Sequence, residues 1–387
     1  MTRFALALVS MLVLAGNAGA QSLFNGAGLG VPIDPVDARS RALGSAGIGL
    51  WGTSLVPGDP AAAARISVPT AVFTAQPSWV DFSREGEATD FRSTRFPLVA
   101  IAYPAFGLGT ATFSFGSFLD QRYEATRAAT LDLEAGPVAA IDSFTSEGGV
   151  SEIRLGLSRA LDQRFSVGLQ VGRYNGTLTR TLTRSLEGVD AEGQVLDFRA
   201  DGRWAYSATS VTAGAAATLG TRARLAGSLT WSTDLEAEPS ETTEAPGGTF
   251  ALPLQVRVGG TAVLAPGLLL SASLLSSDWT STADDLRESD ARNTVSYGVG
   301  VELSRARILG RDAPLRLGYR KSELPFALED GAPVETVFSG GLGLGLSQTG
   351  SVILAGLDLA IERGSREEVG ITENFWRAAL TLRVAGF

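Results

Sequence analysis

The chain has 387 residues, a formal charge of −9, 46 glycines, and neither cysteine nor histidine; 44% of it is apolar and 19% charged. Without His or Cys there can be no Ser-His or Cys-His nucleophile, few transition-metal sites and no disulfide framework, so an enzyme of those classes is excluded. The acidic balance, with no block of basic residues, argues against a nucleic-acid partner, and no cofactor motif is present.

Residues 1–20 join a basic start at Arg3 to an apolar run and end in Ala18-Gly19-Ala20, the pattern of a secretory signal peptide cleaved before Gln21. Residues 21–68 follow without any regular period and are dense in Gly, Pro and Ala. From about residue 69 to Phe387 the chain alternates with a period of two, so that one face of each segment is apolar and the other small or polar. Ile153, Leu155 and Leu157 oppose Glu152, Arg154 and Gly156; Phe165, Val167, Leu169 and Val171 oppose Ser166, Gly168, Gln170 and Gly172. The same holds for Val295 to Leu303 and for Leu315, Leu317 and Tyr319, and its plainest line is Gly341-Leu342-Gly343-Leu344-Gly345. That run alternates through a strand and leads into no helix, so it is not a dinucleotide fingerprint.

A soluble sandwich would turn such apolar faces into a protein core, and a transmembrane barrel would turn them to lipid. Loop lengths favour the barrel, because tight connections at 104–107, 161–164, 220–221, 265–267, 309–313 and 348–350 alternate with long polar ones. The long ones lie at 120–149, 185–203, 233–248, 278–293, 322–335 and 363–374. The fold class expected is therefore all-β, a transmembrane antiparallel barrel of about fourteen strands in an outer membrane. Aromatics near strand ends fit interfacial girdles or ordinary strand composition equally. The terminal Phe387 resembles the signal that barrel-assembly machinery reads, although its parity differs from Leu380, Leu382 and Val384.

The segment Asp37-Ala38-Arg39-Ser40-Arg41-Ala42-Leu43-Gly44-Ser45-Ala46-Gly47-Ile48-Gly49, followed by Asp59-Pro60-Ala61, resembles the FadL-type hydrophobic-compound transporters of outer membranes. That family carries a similar Arg-Ala-x-Gly hatch motif and an Asn-Pro-Ala triplet before a fourteen-stranded barrel. Here Asp59 stands in place of the Asn. The resemblance implies a hatch over residues 21–68, with Arg41, Gly44, Gly47, Asp59, Pro60 and Ala61 as its motif residues. It further implies a hydrophobic ligand, bound near the hatch and released sideways through a kink in the third strand. Gly107, Gly109 and Gly116 are the candidates for that kink, and glycines packing around a plug explain them equally well. Phe24, Leu29, Val31 and Trp51 are the hatch residues large enough to touch an apolar ligand, and the packing of the hatch itself also calls for them.

Arg154, Arg222, Arg224, Arg257, Glu302 and Arg316 lie on the lumen parity. Their mixed signs favour pairing across the lumen over an ion-selective pore, while an anionic head group could use one of the arginines. Acidic runs at 234–244 and 284–290 lack the spacing of a calcium loop. The function expected is passive uptake of small hydrophobic molecules, long-chain fatty acids or hydrocarbons, with outer-membrane lipid and the assembly machinery as partners. The competing reading is a barrel of the same fold that anchors or shuttles a secreted protein.

Overall fold

The computed structural model describes residues 22–386, except 45–46, 53, 85–86, 106, 134–135, 190–194, 242, 284–285, 287–290, 309–310, 330 and 350–351. The signal peptide, the acidic run around Asp284 and the terminal Phe387 lie outside the described residues. Fourteen strands follow one another around a closed antiparallel barrel. They are β1 (Thr70–Arg84), β2 (Glu87–Ala105), β3 (Gly109–Asp120), β4 (Gly136–Ala160), β5 (Phe165–Val189), β6 (Val195–Leu219) and β7 (Ala223–Ser232). The second half is β8 (Leu254–Ala265), β9 (Leu268–Asp278), β10 (Thr294–Leu303), β11 (Leu315–Glu323), β12 (Val334–Thr349), β13 (Val352–Glu368) and β14 (Ile371–Ala385). The barrel closes where β14 pairs with β1, from Thr70 opposite Ala385 to Arg84 opposite Ile371. Closure removes the sheet edge and lets neighbouring strands satisfy one another's backbone groups, which hydrocarbon surroundings require.

Side chains obey the alternation read from the sequence. Leu155 is 63% exposed and Leu317 72% on the outer wall, whereas Arg154, Glu152, Arg316 and Glu302 are buried in the lumen. Exposing one large aliphatic side chain to water costs about 1.5–3 kcal/mol, so a whole outward belt of them belongs in lipid. The interior is not a conventional apolar core. Its hydrophobic residues fall into several separate clusters, and many charged residues are buried alongside them.

Several expected loops are strand. Each of β4, β5 and β6 runs 25 residues, more than twice the roughly 9–11 that cross a bilayer, so their excess rises beyond the membrane as hairpins. A separate strand, Tyr123–Leu133, lies along the raised arm of β4, and another, Leu235–Pro239, along β6. The described residues of 123–149 and 185–203 and most of 363–374 are therefore β structure and not the loops that their polarity suggested. Once a strand leaves the membrane, both faces meet water and the two-residue hydropathy pattern fades. The connection between β10 and β11, expected to be tight, carries a miniature hairpin of Arg307–Ile308 against Arg311–Asp312.

One ion pair braces the raised arm. Arg184 on β5 grips Asp142 on β4 bidentately, Nε and Nη2 each donating to one carboxylate oxygen, and these hydrogen bonds hold the Asp142 carboxyl below the usual carboxylate range. A depressed carboxyl contributes stability above its unfolded value near pH 4, and that contribution is lost as pH falls through the lowered folded value. Proteolysis of the arm is therefore expected to accelerate only in acid, below the ordinary carboxylate range. An Arg184→Ala variant loses this pH dependence and is cut faster already at neutral pH.

Candidate functional site: a plugged lumen and an interrupted wall

The described residues of 22–66 lie against the inner face of the wall as short pieces: a 3-10 turn at Leu23–Gly26, helix α1 (Ala38–Ala42) and a second 3-10 turn at Ala62–Arg65. Asp37 caps α1, its carboxylate accepting from Ser40 N at 2.8 Å, and the backbone N–H of Ala38 donates to Thr381 of the wall at 2.8 Å. The wall makes room for these pieces with glycine.

A side chain at Gly298, Gly300 or Gly318 would strike the backbone of Leu43 and Gly44, and one at Gly341 would meet the Ala42 side chain at 2.6 Å. Gly259 faces Ile48 and Gly168 faces the carbonyl of Pro60. Gly44 is needed from the plug's side as well. Its φ of +58° is a left-handed conformation, and a side chain there would collide with the backbone of Tyr319. The Gly-Leu ladder of β12 is thus a fitted surface, with leucines towards lipid and Gly341 against the plug.

Charge fixes what the glycines seat. Asp59 accepts from Arg224 Nη1 at 2.7 Å and from the backbone N–H of Gly49 at 3.0 Å, so one carboxylate ties wall, helix-side loop and Asp-Pro-Ala turn together. Glu302 accepts from Arg39 of α1 at 2.9 Å and from Arg316 at 2.7 Å, and Arg316 reaches Asp358 at 2.6 Å. Arg257 pairs with Asp34 of the plug at 2.9 Å; Arg154 pairs with Glu152 at 2.6 Å and donates to the Pro57 carbonyl. Pro60 and Ala61 form the turn after Asp59, with the Pro60 carbonyl accepting from Ser158 at 2.6 Å. Arg41 is buried, 3.7 Å from Glu362. Gly47 has a φ of +71° and lies against Val56 and Val36 inside the plug. Arg222 does not belong with these residues. It sits exposed in the turn after Gly220, because the strand parity that assigned it to the lumen ends one residue later.

The four large plug residues do not share one pocket. Leu29 packs into a buried aromatic cluster of Phe118, Tyr174, Tyr206, Trp279 and Phe326. Phe24 and Val31 sit in a neighbouring cluster with Phe82, Leu324 and Ile371. Trp51 lies apart and half-buried, its backbone N–H donating to Thr261 Oγ1 and its carbonyl accepting from Arg39. In the aromatic cluster, ring centroids of Phe118 are 4.5 Å from Tyr174 and 6.5 Å from Trp279, and Trp279 stands edge-on to Phe326 at 5.4 Å. Trp279 and Phe326 come from the loops after β9 and β11, so the cluster joins the outer loops to β3.

At Phe118 the wall is interrupted. The β2–β3 register runs from Ala105 opposite Gly109 to Leu98 opposite Gly116 and, among the described residues, goes no further. The next β2 residue is Pro97, which has no N–H for the ladder. Beyond this point the upper part of β2 stays bonded to β1 alone, and β3 shifts register against β4 between Ser117 and Leu119. The freed edge of β3 pairs with the plug: Val31 lies opposite Asp120, Pro32 opposite Leu119, and Ile33 N donates to the Phe118 carbonyl at 2.8 Å. Gly116 sits at the break, where a side chain would meet Pro35 at 2.6 Å. Gly107, by contrast, lies in the turn before β3 with a φ of +81°, and Gly109 opens the strand with a φ of +127°, both away from the break. The alternation carried no sign of Phe118 or Pro97, since an aromatic and a proline in a strand are ordinary events without knowledge of the register.

No protein-family profile and no curated protein sequence matches the chain. Solved structures do. A Pseudomonas aeruginosa FadL homologue superimposes with a TM-score of 0.64 at 13% identity, covering 92% of this chain and 100% of that one. The Ralstonia pickettii toluene transporter TbuX gives 0.60 at 14% identity over 94% and 100%, and the Pseudomonas putida toluene transporter TodX 0.56 at 12% over 92% and 99%. A likeness that spans nearly both whole chains at so low an identity is a likeness of fold, and the fold of this chain is that of the FadL-type barrels.

Proposed function

We propose that the chain is an outer-membrane channel for passive uptake of small hydrophobic molecules, with residues 21–68 as its hatch once the signal peptide is removed. The observation that carries this reading is the break in the wall between Pro97 and Ser117, reached from the outer loops through the buried cluster of Trp279, Phe326 and Phe118. A hydrocarbon or an acyl tail displaces these rings, moves along Phe118 and Leu119 and leaves sideways into the bilayer. The plug segment 31–33, paired to the freed edge of β3, is the part whose displacement widens the exit. Polar solutes are refused by the seated plug and its ion pairs. The similar structures include toluene transporters, and an aromatic-lined route suits such compounds as well as fatty-acid chains.

Trp279 carries the first contact in this scheme. In cells whose other uptake route for the compound is deleted, Trp279→Ala is expected to weaken the apparent affinity for a labelled hydrophobic compound about tenfold, the loss of one aromatic contact near 1.4 kcal/mol. Unchanged saturation would remove the cluster from the route.

A further inference from the structure

Between the plug and the wall, a cavity of about 90 Å³ is lined in part by Val31 to Pro35, and its whole lining holds seven arginines but only four carboxylates, Asp34 among them. That is room for roughly three water molecules. The wall arginines are short of partners. Glu335 serves Arg320 and Arg366 at 2.8 Å and Arg377 at 2.5 Å, and of these three only Arg366 has a second carboxylate within hydrogen-bond reach, Glu373 at 2.7 Å. Glu362 lies 3.7–3.8 Å from Arg41, Arg320 and Arg377, too far to accept a hydrogen bond from any of them. Arg95 donates to the neutral Gln76 at 2.6 Å, and its nearest carboxylate, Asp120 at 3.7 Å, is already chelated by Arg122. Arg41 and Arg320 are 2% and 7% exposed, and each has an Nε donor with no partner among the described residues. Buried guanidinium groups that share too few carboxylates are unfavourable unless a further negative charge joins them.

We propose that this cavity binds a small inorganic anion, a halide or a compact oxyanion, held by Arg41, Arg95, Arg320 and Arg377. The anion is a resident of the lumen. It joins the plug, through Arg41, to β2, β11 and β14, and does not depend on what the barrel transports. Its size limit follows from the cavity, and its charge from the arginines around it.

The test uses the intact barrel in detergent. Crystals soaked in sodium bromide are expected to show an anomalous peak within hydrogen-bond reach of the Arg41, Arg320 and Arg377 side chains. At constant ionic strength, replacing gluconate by chloride or phosphate is expected to raise the melting temperature saturably. Arg320→Gln is expected to abolish that rise. A bromide-free cavity, a wild-type melting temperature indifferent to the anion, or a cavity that refuses bromide yet admits the carboxylate of added decanoate would each overturn the assignment. The last result would make the arginines a head-group site for a transported amphiphile.

Discussion

Cross-linking Pro97→Cys to Ser117→Cys is expected to lower uptake of a hydrophobic compound at least tenfold, whereas either single variant transports normally. The chain has no cysteine of its own, so a bifunctional maleimide can join only these two. Their positions follow from the ladder: Leu98 opposes Gly116, and the next pair in an uninterrupted antiparallel register would be residues 97 and 117. Bridging them across the break rejoins β2 to β3 at the place where backbone bonding stops and restricts the plug segment at 31–33. A tenfold loss corresponds to about 1.4 kcal/mol on the barrier, a small demand for a covalent obstruction of the exit. Uptake that survives complete cross-linking would send the ligand elsewhere.

Asp59→Ala is expected to have the second large effect, on the plug and not on the barrel. Asp59 and Arg224 are both buried, and removing one member of a buried pair leaves the other charge uncompensated at about 3–5 kcal/mol. The wall keeps its hydrogen-bonded ladder, so the barrel stays folded in detergent while the loop from Gly49 to Pro60 loses its anchor. Single channels in planar bilayers should then pass ions that the wild type blocks. Asp59→Asn, which preserves an acceptor for Gly49 N and is the residue of the related motif, is expected to leak far less. The double variant Asp59→Ala with Arg224→Ala should recover part of the loss, because neither charge is then buried alone.

The contrast between these two sites shows what a sequence can carry. The barrel was legible because lipid and lumen impose opposite demands on alternate residues, and Leu155 against Arg154 records them one position at a time. The sequence marked the glycines and Asp59-Pro60-Ala61 of the segment before β1, and the structure places Asp59 against Arg224 of the wall. The break was not legible. It depends on Pro97 facing Ser117 across a register that only the closed sheet defines, and Gly107 and Gly109 look as suitable as Gly116 until the turn is located. Arg222 was misplaced for a related reason, since parity holds only as far as the strand does. The raised hairpins were read as loops because water on both faces erases the pattern that identifies a strand.

Selective permeation tests the account most directly. Cells that carry the chain in their outer membrane should take up labelled toluene or oleate faster than cells that lack it, while proteoliposomes containing it should not swell in arabinose. Arabinose permeation with no gain in hydrophobic uptake would contradict the account, for it would mean an open polar pore where the plug and its ion pairs predict a sealed lumen.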